Sequence, residues 1–492
     1  MQARRPYRRT VQRRVGTTRY DVCVIGAGPG GFAAATRAAQ RGARVCLVEE
    51  RELGGTCLNR GCIPARAIGT TAWLASVVQR SHTLGIRIGQ HEVVWPDALA
   101  RKDRIVRRLR EGLKQLVQAR KIELVPGRAA LAGAGRVEVT SSLGGAAAVI
   151  EAGAIVVSTG SSPAPLPMAS FDGRRVISSD ELLQAPALPK RLVVIGGGVI
   201  GCEFASYLAP LGVEVTVLER EPQLLPGQDA DLAQELAATF TRVGVRVHTG
   251  ALVTAVVPEP PDVVVQWGQG QRLAREEALP RASAQEVRAD QVLLTVGRRP
   301  NTRGMGLAEA GVTLTPSGHV RVDQQLRTSV PQILAVGDVL GQYQTAYTAS
   351  YEGTVAAENA LGGSRTVDYA AVPECIFTLP EIAAVGMTEA QARTAGHPIG
   401  VSRVPWTISG RALTLDETEG FVKVVYHQET QQILGVQMMG PRATDLIAEA
   451  TVAIQRGLTL QALVDVLHGH PTLAEGLWEA SAQPLMQALY VR

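Results

Sequence analysis

The pattern Gly-x-Gly-x-x-Gly occurs twice in this chain, 170 residues apart and in matching surroundings. In the first copy residues 20–25 read as a buried strand, followed by Gly26-Ala-Gly28-Pro-Gly-Gly31. An Ala-rich helix then runs to about Arg41, and residues 44–49 read as a second strand. In the second copy a strand over residues 191–195 leads into Gly196-Gly-Gly198-Val-Ile-Gly201, a helix to about Leu211 and a strand over 214–219. From first glycine to strand-end acid the spacing is 23 residues in both, Gly26 to Glu49 and Gly196 to Glu219. One such pattern is weak in a chain with 51 glycines; two, each between strand and helix and followed by an acid, are specific. Ordinary βαβ turns would not require glycine at all three places twice.

Each residue type has a physical task. Gly26 and Gly196 permit a tight turn, Gly28 and Gly198 let backbone approach a pyrophosphate, and Gly31 and Gly201 allow close packing of helix on strand. The helix N-terminus offers unpaired N–H groups and a positive dipole end to the phosphates. Glu49 and Glu219 are placed to accept hydrogen bonds from a ribose 2′-hydroxyl. Two dinucleotides are therefore expected, one per copy. Glu219 favours NAD over NADP, since a carboxylate repels a 2′-phosphate and the one nearby cation, Arg220, stands between Glu219 and Glu221.

Composition narrows the remaining classes. With 492 residues, 46% hydrophobic and 19% charged, the chain can bury a large core and is about three domains long. Aromatics are only 4%, so that core is mostly Ala, Val, Leu and Ile. The formal charge of +5 belongs to an arm: residues 1–20 hold seven arginines and no acid, which leaves 43 basic against 45 acidic residues elsewhere. The arm is read as a disordered extension, and no nucleic-acid partner is expected. No run of 18 apolar residues exists, so no membrane span is expected, and the arm lacks the apolar stretch of a secretory signal. A cytoplasmic protein is expected. Of 50 basic residues only Lys102, Lys114, Lys121, Lys190 and Lys423 are lysine, a chain-wide bias towards arginine.

Beyond the first unit comes Gly54-Gly-Thr56-Cys57-Leu-Asn-Arg-Gly-Cys62-Ile-Pro-Ala-Arg66. Two cysteines beside a dinucleotide loop suggest redox chemistry more than structural bridging. Four intervening residues and no second pair make zinc a poor alternative, and no metal is expected. Cys23, Cys46, Cys202 and Cys375 sit in apolar strands or at a helix start and read as inert core thiols. Residues five apart in a regular helix have Cα atoms about 8.7 Å apart, whereas a disulfide needs less than about 7 Å. A bridge between Cys57 and Cys62 would thus require a distorted helix start, with Gly61 the accommodating residue.

These segments, with Ser158-Thr-Gly160-Ser, Thr295-Val-Gly297-Arg-Arg-Pro-Asn301, Ala335-Val-Gly337-Asp338-Val and His470-Pro-Thr-Leu-Ala-Glu475, resemble the pyridine nucleotide–disulfide oxidoreductases from Tyr20 to the C-terminus. The cysteine segment and the terminal His-Pro-Thr-Leu with Glu are most similar to the dihydrolipoamide dehydrogenase branch. The resemblance implies an α/β chain with two Rossmann-like domains, a central domain and a C-terminal α+β dimerisation domain. The expected limits are 1–19 for the arm, 20–158 for FAD binding, 159–288 for NAD binding, 289–358 for the central segment and 359–492 for the interface. It implies FAD at Gly26, Gly28, Gly31, Glu49, Thr56, Arg66, Gly160, Gly337 and Asp338, with Asp338 on the ribityl chain. It implies NAD at Gly196, Gly198, Gly201, Glu203, Glu219 and Gly297. The catalytic residues it implies are Cys57, Cys62, His470 and Glu475, with the His–Glu pair supplied across a homodimer.

The implied reaction is oxidation of a dihydrolipoyl dithiol, borne on a carrier protein or acyltransferase subunit or offered as a small dithiol, with NAD⁺ as acceptor. The alternatives are an NAD(P)H-dependent reductase of another disulfide or of mercuric ion, and service to a non-standard lipoyl carrier. A terminal cysteine pair and an N-terminal metal-binding domain, which a mercuric reductase would carry, are not seen in this sequence. Read without the resemblance, His470 and Glu475 support two interpretations: a general base with its orienting acid, or a capping box with Thr472 at the cap and Glu475 three residues on. His468 lies outside the pattern and is read as structural. Arg66 departs from the family lysine, one helical turn past Cys62. Glu203 matches the glutamate that partners that lysine, so an Arg66–Glu203 ion pair near the flavin is expected. Residues 98–120 read as a long Arg-rich amphipathic helix, and 420–426 and 432–438 as strands alternating between apolar and polar.

Overall fold

The computed structural model describes residues 18–141, 148–269 and 285–486. Most of the basic arm, residues 1–17, lies outside them. The chain divides into two compact units, the first formed by residues 1–59, 106–162 and 298–367 and the second by 60–105, 163–297 and 368–492.

The first unit is built on a sheet whose strands run, in order, Glu123–Pro126, Val45–Glu49, Thr18–Ile25, Ala148–Val157, Arg136–Thr140 and Arg128–Gly133. The first four are parallel and the last two return antiparallel. Thr18 and Arg19, assigned to the arm from sequence, already pair with Ile150 and Glu151. The ten-residue strand Ala148–Val157 serves two neighbours on one edge: its first half pairs with Arg136–Thr140, its second with Ile333–Ala335. Alternate residues of the central strand enter opposite cores. Val22 and Val24 pack with Ala34, Ala35 and Val355 from helices Pro29–Gln40 and Ala346–Ala360. Cys23 and Ile25 pack with Leu131, Val137 and Ile333. Burial on both faces is why this strand is a continuous apolar run rather than an alternating one.

The second unit repeats the motif. Its parallel sheet has the order Arg246–His248, Glu214–Leu218, Arg191–Ile195, Gln291–Leu294, Val176–Ile177. An antiparallel meander of Ala251–Glu259, Asp262–Gln269 and Gln285–Ala289 accompanies it. Residues 289–358, read from sequence as one central segment, are shared out, since Gln291–Leu294 completes this sheet while Ile333–Ala335 joins the first. The helix Cys62–Gln79 packs here too, burying Ala65, Ile68 and Ala72 in one cluster with Tyr207 and Leu208. The helix expected at 98–120 spans Trp95–Ala119.

The C-terminal part is a five-stranded antiparallel sheet ordered Glu374–Ile376, Glu381–Gly386, Ile433–Gly440, Phe421–His427, Ile399–Pro405. The alternation expected in two of these strands is absent: Phe421–Val425 and Val436–Gly440 are buried at every position. The reason is that both faces are covered. Val422, Val424 and Met438 meet Ile447 and Leu477 from helices Ala443–Gln455 and Glu475–Ala482, while Phe421 and Met439 join the cluster that holds Phe204 and Leu236.

Candidate nucleotide and redox sites

The two glycine loops are built alike, and of the three pattern glycines in each, backbone and packing account for only two. Gly26 and Gly196 take φ of +96° and +106°, where a side chain is strained. A Cβ on Gly31 would lie 1.8 Å from the Gly26 carbonyl oxygen, and one on Gly201 1.9 Å from that of Gly196. The middle glycines differ. A Cβ on Gly28 would meet nothing nearer than 3.9 Å, and one on Gly198 nothing within 4 Å. The space beside each middle glycine is open, and the helices starting at Pro29 and Val199 carry no side-chain cap. Uncapped N–H groups beside an open glycine fit a pyrophosphate.

The strand-end acids brace these loops. Glu49 accepts the Ala27 N–H at 2.7 Å on one oxygen and the Arg51 N–H at 2.8 Å on the other. Glu219 accepts the Gly197 N–H at 2.5 Å and the Glu221 N–H at 2.7 Å. Each oxygen keeps a lone pair for a ribose hydroxyl. Arg220 donates to Glu221 at 2.7 Å, so the cation beside Glu219 is already engaged.

Of the other residues expected at FAD, Thr56, Gly160, Gly337 and Asp338 lie in the first unit, while Arg66 lies in the second. Thr56 is in the short helix Gly55–Asn59. Gly160 has φ +67°, and its carbonyl accepts the Asn301 N–H at 2.9 Å. Gly337 has φ +77° and donates its N–H to buried Glu352 at 2.6 Å. Asp338 accepts the Ser161 hydroxyl at 2.5 Å and stands 3.8 Å from Arg298 Nε. Ser161 and Arg298 were not singled out from sequence, although both lie inside quoted motifs; Glu352 carried no local signal. Gly297, expected at NAD, has φ +115° and accepts the Ala164 N–H at 3.0 Å.

Cys57 lies within Gly55–Asn59, and Cys62 begins the helix Cys62–Gln79. The helix breaks between them: Gly61 has φ −129° and ψ −107°, outside the helical region. Asn59 steadies the first piece, donating to Leu53 and Gly55 carbonyls at 2.9 Å and accepting from Arg110 at 2.7 Å. Of the core thiols, Cys23 and Cys46 pair across adjacent strands and Cys202 is fully buried, while burial pushes half-buried Cys375 up to about 11.

Arg66 binds Glu203 through both terminal nitrogens, one at 2.9 Å and the other closer. Glu203 also accepts the Phe377 N–H at 2.9 Å. The guanidinium carbon lies 4.0 Å from the Phe377 ring centre and 5.8 Å from that of Tyr207. Burial opposes the charge on Arg66, but the Glu203 carboxylate outweighs it and the guanidinium holds its proton more firmly than usual. Both oxygens of Glu203, grouped with the NAD residues from sequence, are engaged in this pair.

His470 Nδ1 lies 2.7 Å from Glu475 Oε1, and Glu475 Oε2 accepts the Thr472 N–H at 2.8 Å. Thr472 is not the cap, because the helix begins at Glu475 and the Thr472 hydroxyl donates to the Gly469 carbonyl. Glu475 therefore does half of what a capping box does while also holding the imidazole. Burial pushes its carboxyl up, but the Thr472 N–H and His470 keep it below the usual range. With Nδ1 engaged, the ring presents Nε2 outward on a side chain 80% exposed. His468 is occupied at both nitrogens, by Glu449 and the Val466 carbonyl. Among the described residues no helix is long and apolar enough to cross a membrane.

Residues 20–353 match the family described as pyridine nucleotide-disulphide oxidoreductase, and 372–481 match the dimerisation domain of the same family. The chain is 40% identical over 465 residues to dihydrolipoyl dehydrogenase of Chlamydia muridarum, covering 94% of this chain and 96% of that protein. It is 38% identical to that of Geobacillus stearothermophilus, covering 96% and 97%. Among solved structures, LpdA from Mycobacterium tuberculosis superposes with a TM-score of 0.85 at 29% identity, covering 94% and 99%. The HOCl-induced flavoprotein disulfide reductase RclA from Escherichia coli gives 0.82 at 28%, covering 94% and 100%. With both signatures together spanning most of its length, the chain belongs to the pyridine nucleotide-disulphide oxidoreductases and carries their dimerisation domain.

Proposed function

We infer that this protein is a dihydrolipoyl dehydrogenase, an FAD-dependent enzyme that oxidises a dihydrolipoyl dithiol to the disulfide with NAD⁺ as acceptor. The higher identity to dihydrolipoyl dehydrogenases than to RclA favours it over the disulfide-reductase alternative. The observation that carries it is the His470–Glu475 pair, which leaves one imidazole nitrogen directed outward as a base for a thiol. FAD would be held by the loop Gly26–Gly31 with Glu49, Thr56, Gly160, Gly337 and Asp338, and NAD by Gly196–Gly201 with Glu219 and Gly297. Bound, these groups accept the electron pair that leaves the dithiol.

The protein side chains supply the thiol chemistry. His470, acting on the second copy in a homodimer, takes a proton from one substrate thiol, and Glu475 supports the imidazolium. The substrate thiolate attacks Cys57 and breaks the Cys57–Cys62 bond, forming a mixed disulfide and releasing Cys62 as thiolate. The second substrate thiol gives up its proton and displaces Cys57, so the product leaves as a cyclic disulfide while both cysteines are reduced. The substrate class is a lipoyl group on a carrier protein or acyltransferase subunit in the cytoplasm. The test is steady-state turnover of dihydrolipoamide with NAD⁺ for wild type and His470→Gln, with flavin absorbance read in both. A fall of about 10²–10⁴-fold with flavin retained supports the reading; unchanged turnover ends it.

A further inference from the structure

Arg66 stands where the family carries lysine, in a chain whose basic residues are nearly all arginine, so drift is the first explanation to test. The buried lysines argue against it. Lys423 places Nζ 3.1–3.2 Å from three separate carboxylates, Asp229, Asp231 and Glu389. Lys102 donates at 2.7 Å to the Leu183 carbonyl and lies 3.0 Å from Asp103. Both are almost fully buried. A compact ammonium with three tetrahedral donors suits such sites, and a planar fork does not. Lysine stands at these two buried sites, whose shape suits it, and the site of Arg66 has the opposite shape. Glu203 meets it with two oxygens, a third hydrogen bond from Phe377 N–H fixes that carboxylate, and the Phe377 ring lies against the guanidinium. Bidentate pairing plus stacking is what a guanidinium does and an ammonium cannot.

The cation has a second neighbour. Arg66 is one helical turn beyond Cys62 on the helix Cys62–Gln79, the spacing at which side chains on a helix surface are neighbours. With both terminal nitrogens held by Glu203, the remaining donor, Nε, is buried and makes no hydrogen bond. The other charged or titratable groups around this turn come from several elements. Helix Val199–Leu208 brings Glu203 and Tyr207, the phenol being pushed well above its usual range by burial and then by Glu203. Cys375 and Glu381 come from the antiparallel sheet, the thiol again pushed up by burial. Arg101 donates to the Ala67 carbonyl at 3.0 Å, and Arg60 lies 3.6 Å from Asp180.

We propose that Arg66 is a positioning residue for the thiol chemistry: a guanidinium fixed by Glu203 and Phe377 that serves as the constant counter-charge of the Cys62 thiolate. A lysine in its place would lose its charge in the alkaline range, at about 10.4 for an ordinary ammonium. Arg66 keeps its charge throughout. The idea rests on Cys62 being one of the two redox sulfurs, but not on which dithiol reduces them.

The experiment reads the sulfur directly. In the FAD-loaded full-length protein carrying Cys57→Ser, the iodoacetamide alkylation rate of Cys62 is followed from pH 5 to 11, with the modified peptide identified by mass. Three forms are compared: Arg66, Arg66→Lys, and Arg66→Met with Glu203→Gln, the last chosen so that no unpaired buried carboxylate remains. The expected result has two parts. The neutral pair moves the midpoint of the profile upward, slowing alkylation below it by about tenfold or more, while Arg66→Lys adds a second inflection on the alkaline side that the Arg66 protein lacks. Either a midpoint unchanged in the neutral pair or a lysine profile that follows the arginine one to pH 11 overturns the proposal. Neither result depends on turnover of dihydrolipoamide, so failure here and failure of the enzymatic assignment are separable.

Discussion

Glu219 reaches back across its own glycine loop to accept the Gly197 N–H at 2.5 Å. The carboxylate is nearly buried and is held in place before any nucleotide arrives. A hydrogen bond to a charged group contributes about 1.5–3 kcal/mol. Replacing Glu219 by Ala should therefore raise the KM for NADH by about tenfold or more and improve the relative use of NADPH, because the charge that repels a 2′-phosphate is gone. Steady-state kinetics with both nucleotides check this; an unchanged NADH/NADPH ratio would contradict it.

The glycines of the second loop should separate fold from binding. Gly198→Ala adds a methyl where nothing lies within 4 Å, so the protein should keep its unfolding temperature and lose NADH affinity. Gly201→Ala places a methyl 1.9 Å from the Gly196 carbonyl, so backbone must move, at a cost of about 1–3 kcal/mol. Calorimetry and NADH titration on the two variants distinguish the cases. Equal loss of stability in both would show that the middle glycine is structural after all.

Lys423 ties helix Ala230–Arg242 and the start of helix Glu389–Thr394 to the antiparallel sheet through its three carboxylates. Lys423→Met leaves those acids facing one another and should destabilise by about 3–5 kcal/mol. The sign of the pH effect follows from the shifts. Burial lowers the Lys423 value, but the acids raise it more, so its contribution is complete below the ordinary lysine range and lost as pH rises through the folded value. Glu389 is held low by Arg393, with Lys423 adding to it against burial, so its contribution is present above the ordinary carboxylate range and lost as pH falls through the folded value. Denaturant titrations across pH should show both arms diminished in the variant.

Glu475 answers the same way on the acid side. Its carboxyl lies below the usual range, so it orients His470 as an anion throughout neutral pH. Glu475→Gln should reduce kcat by about 10–100-fold, less than loss of the base itself, and should narrow the stability advantage that the wild type gains as pH rises from the lowered folded value to the ordinary carboxylate range. Rate and unfolding measured on the same preparations test the two effects together; a variant with full kcat would remove Glu475 from the machinery.

The repeat was legible because it is local. Turn, helix start and strand-end acid all fall within 24 residues, and the last glycine of each pattern answers to the carbonyl of the first, five residues earlier. A distortion at Gly61, expected on condition that Cys57 and Cys62 are bridged, is present in its backbone angles. The C-terminal strands were misread as alternating, because a sequence does not announce that a second layer covers the outer face.

By itself the sequence determined the two nucleotide loops, the acid that braces each, the cysteine pair and the His–Glu segment, all held by short-range geometry that a few dihedral angles decide. Only the tertiary structure decided other partners that meet across long stretches of chain, Ser161 with Asp338 over 177 residues and Lys423 with acids from two helices, whereas the Arg66–Glu203 pair, 137 residues apart, was expected from the family resemblance. Those pairings follow from strand order and layer packing, so nothing in the local pattern distinguishes the lysine at position 423 from one that merely faces water. Its three carboxylate neighbours make the difference, and they assemble only when the strands and helices that carry them have packed.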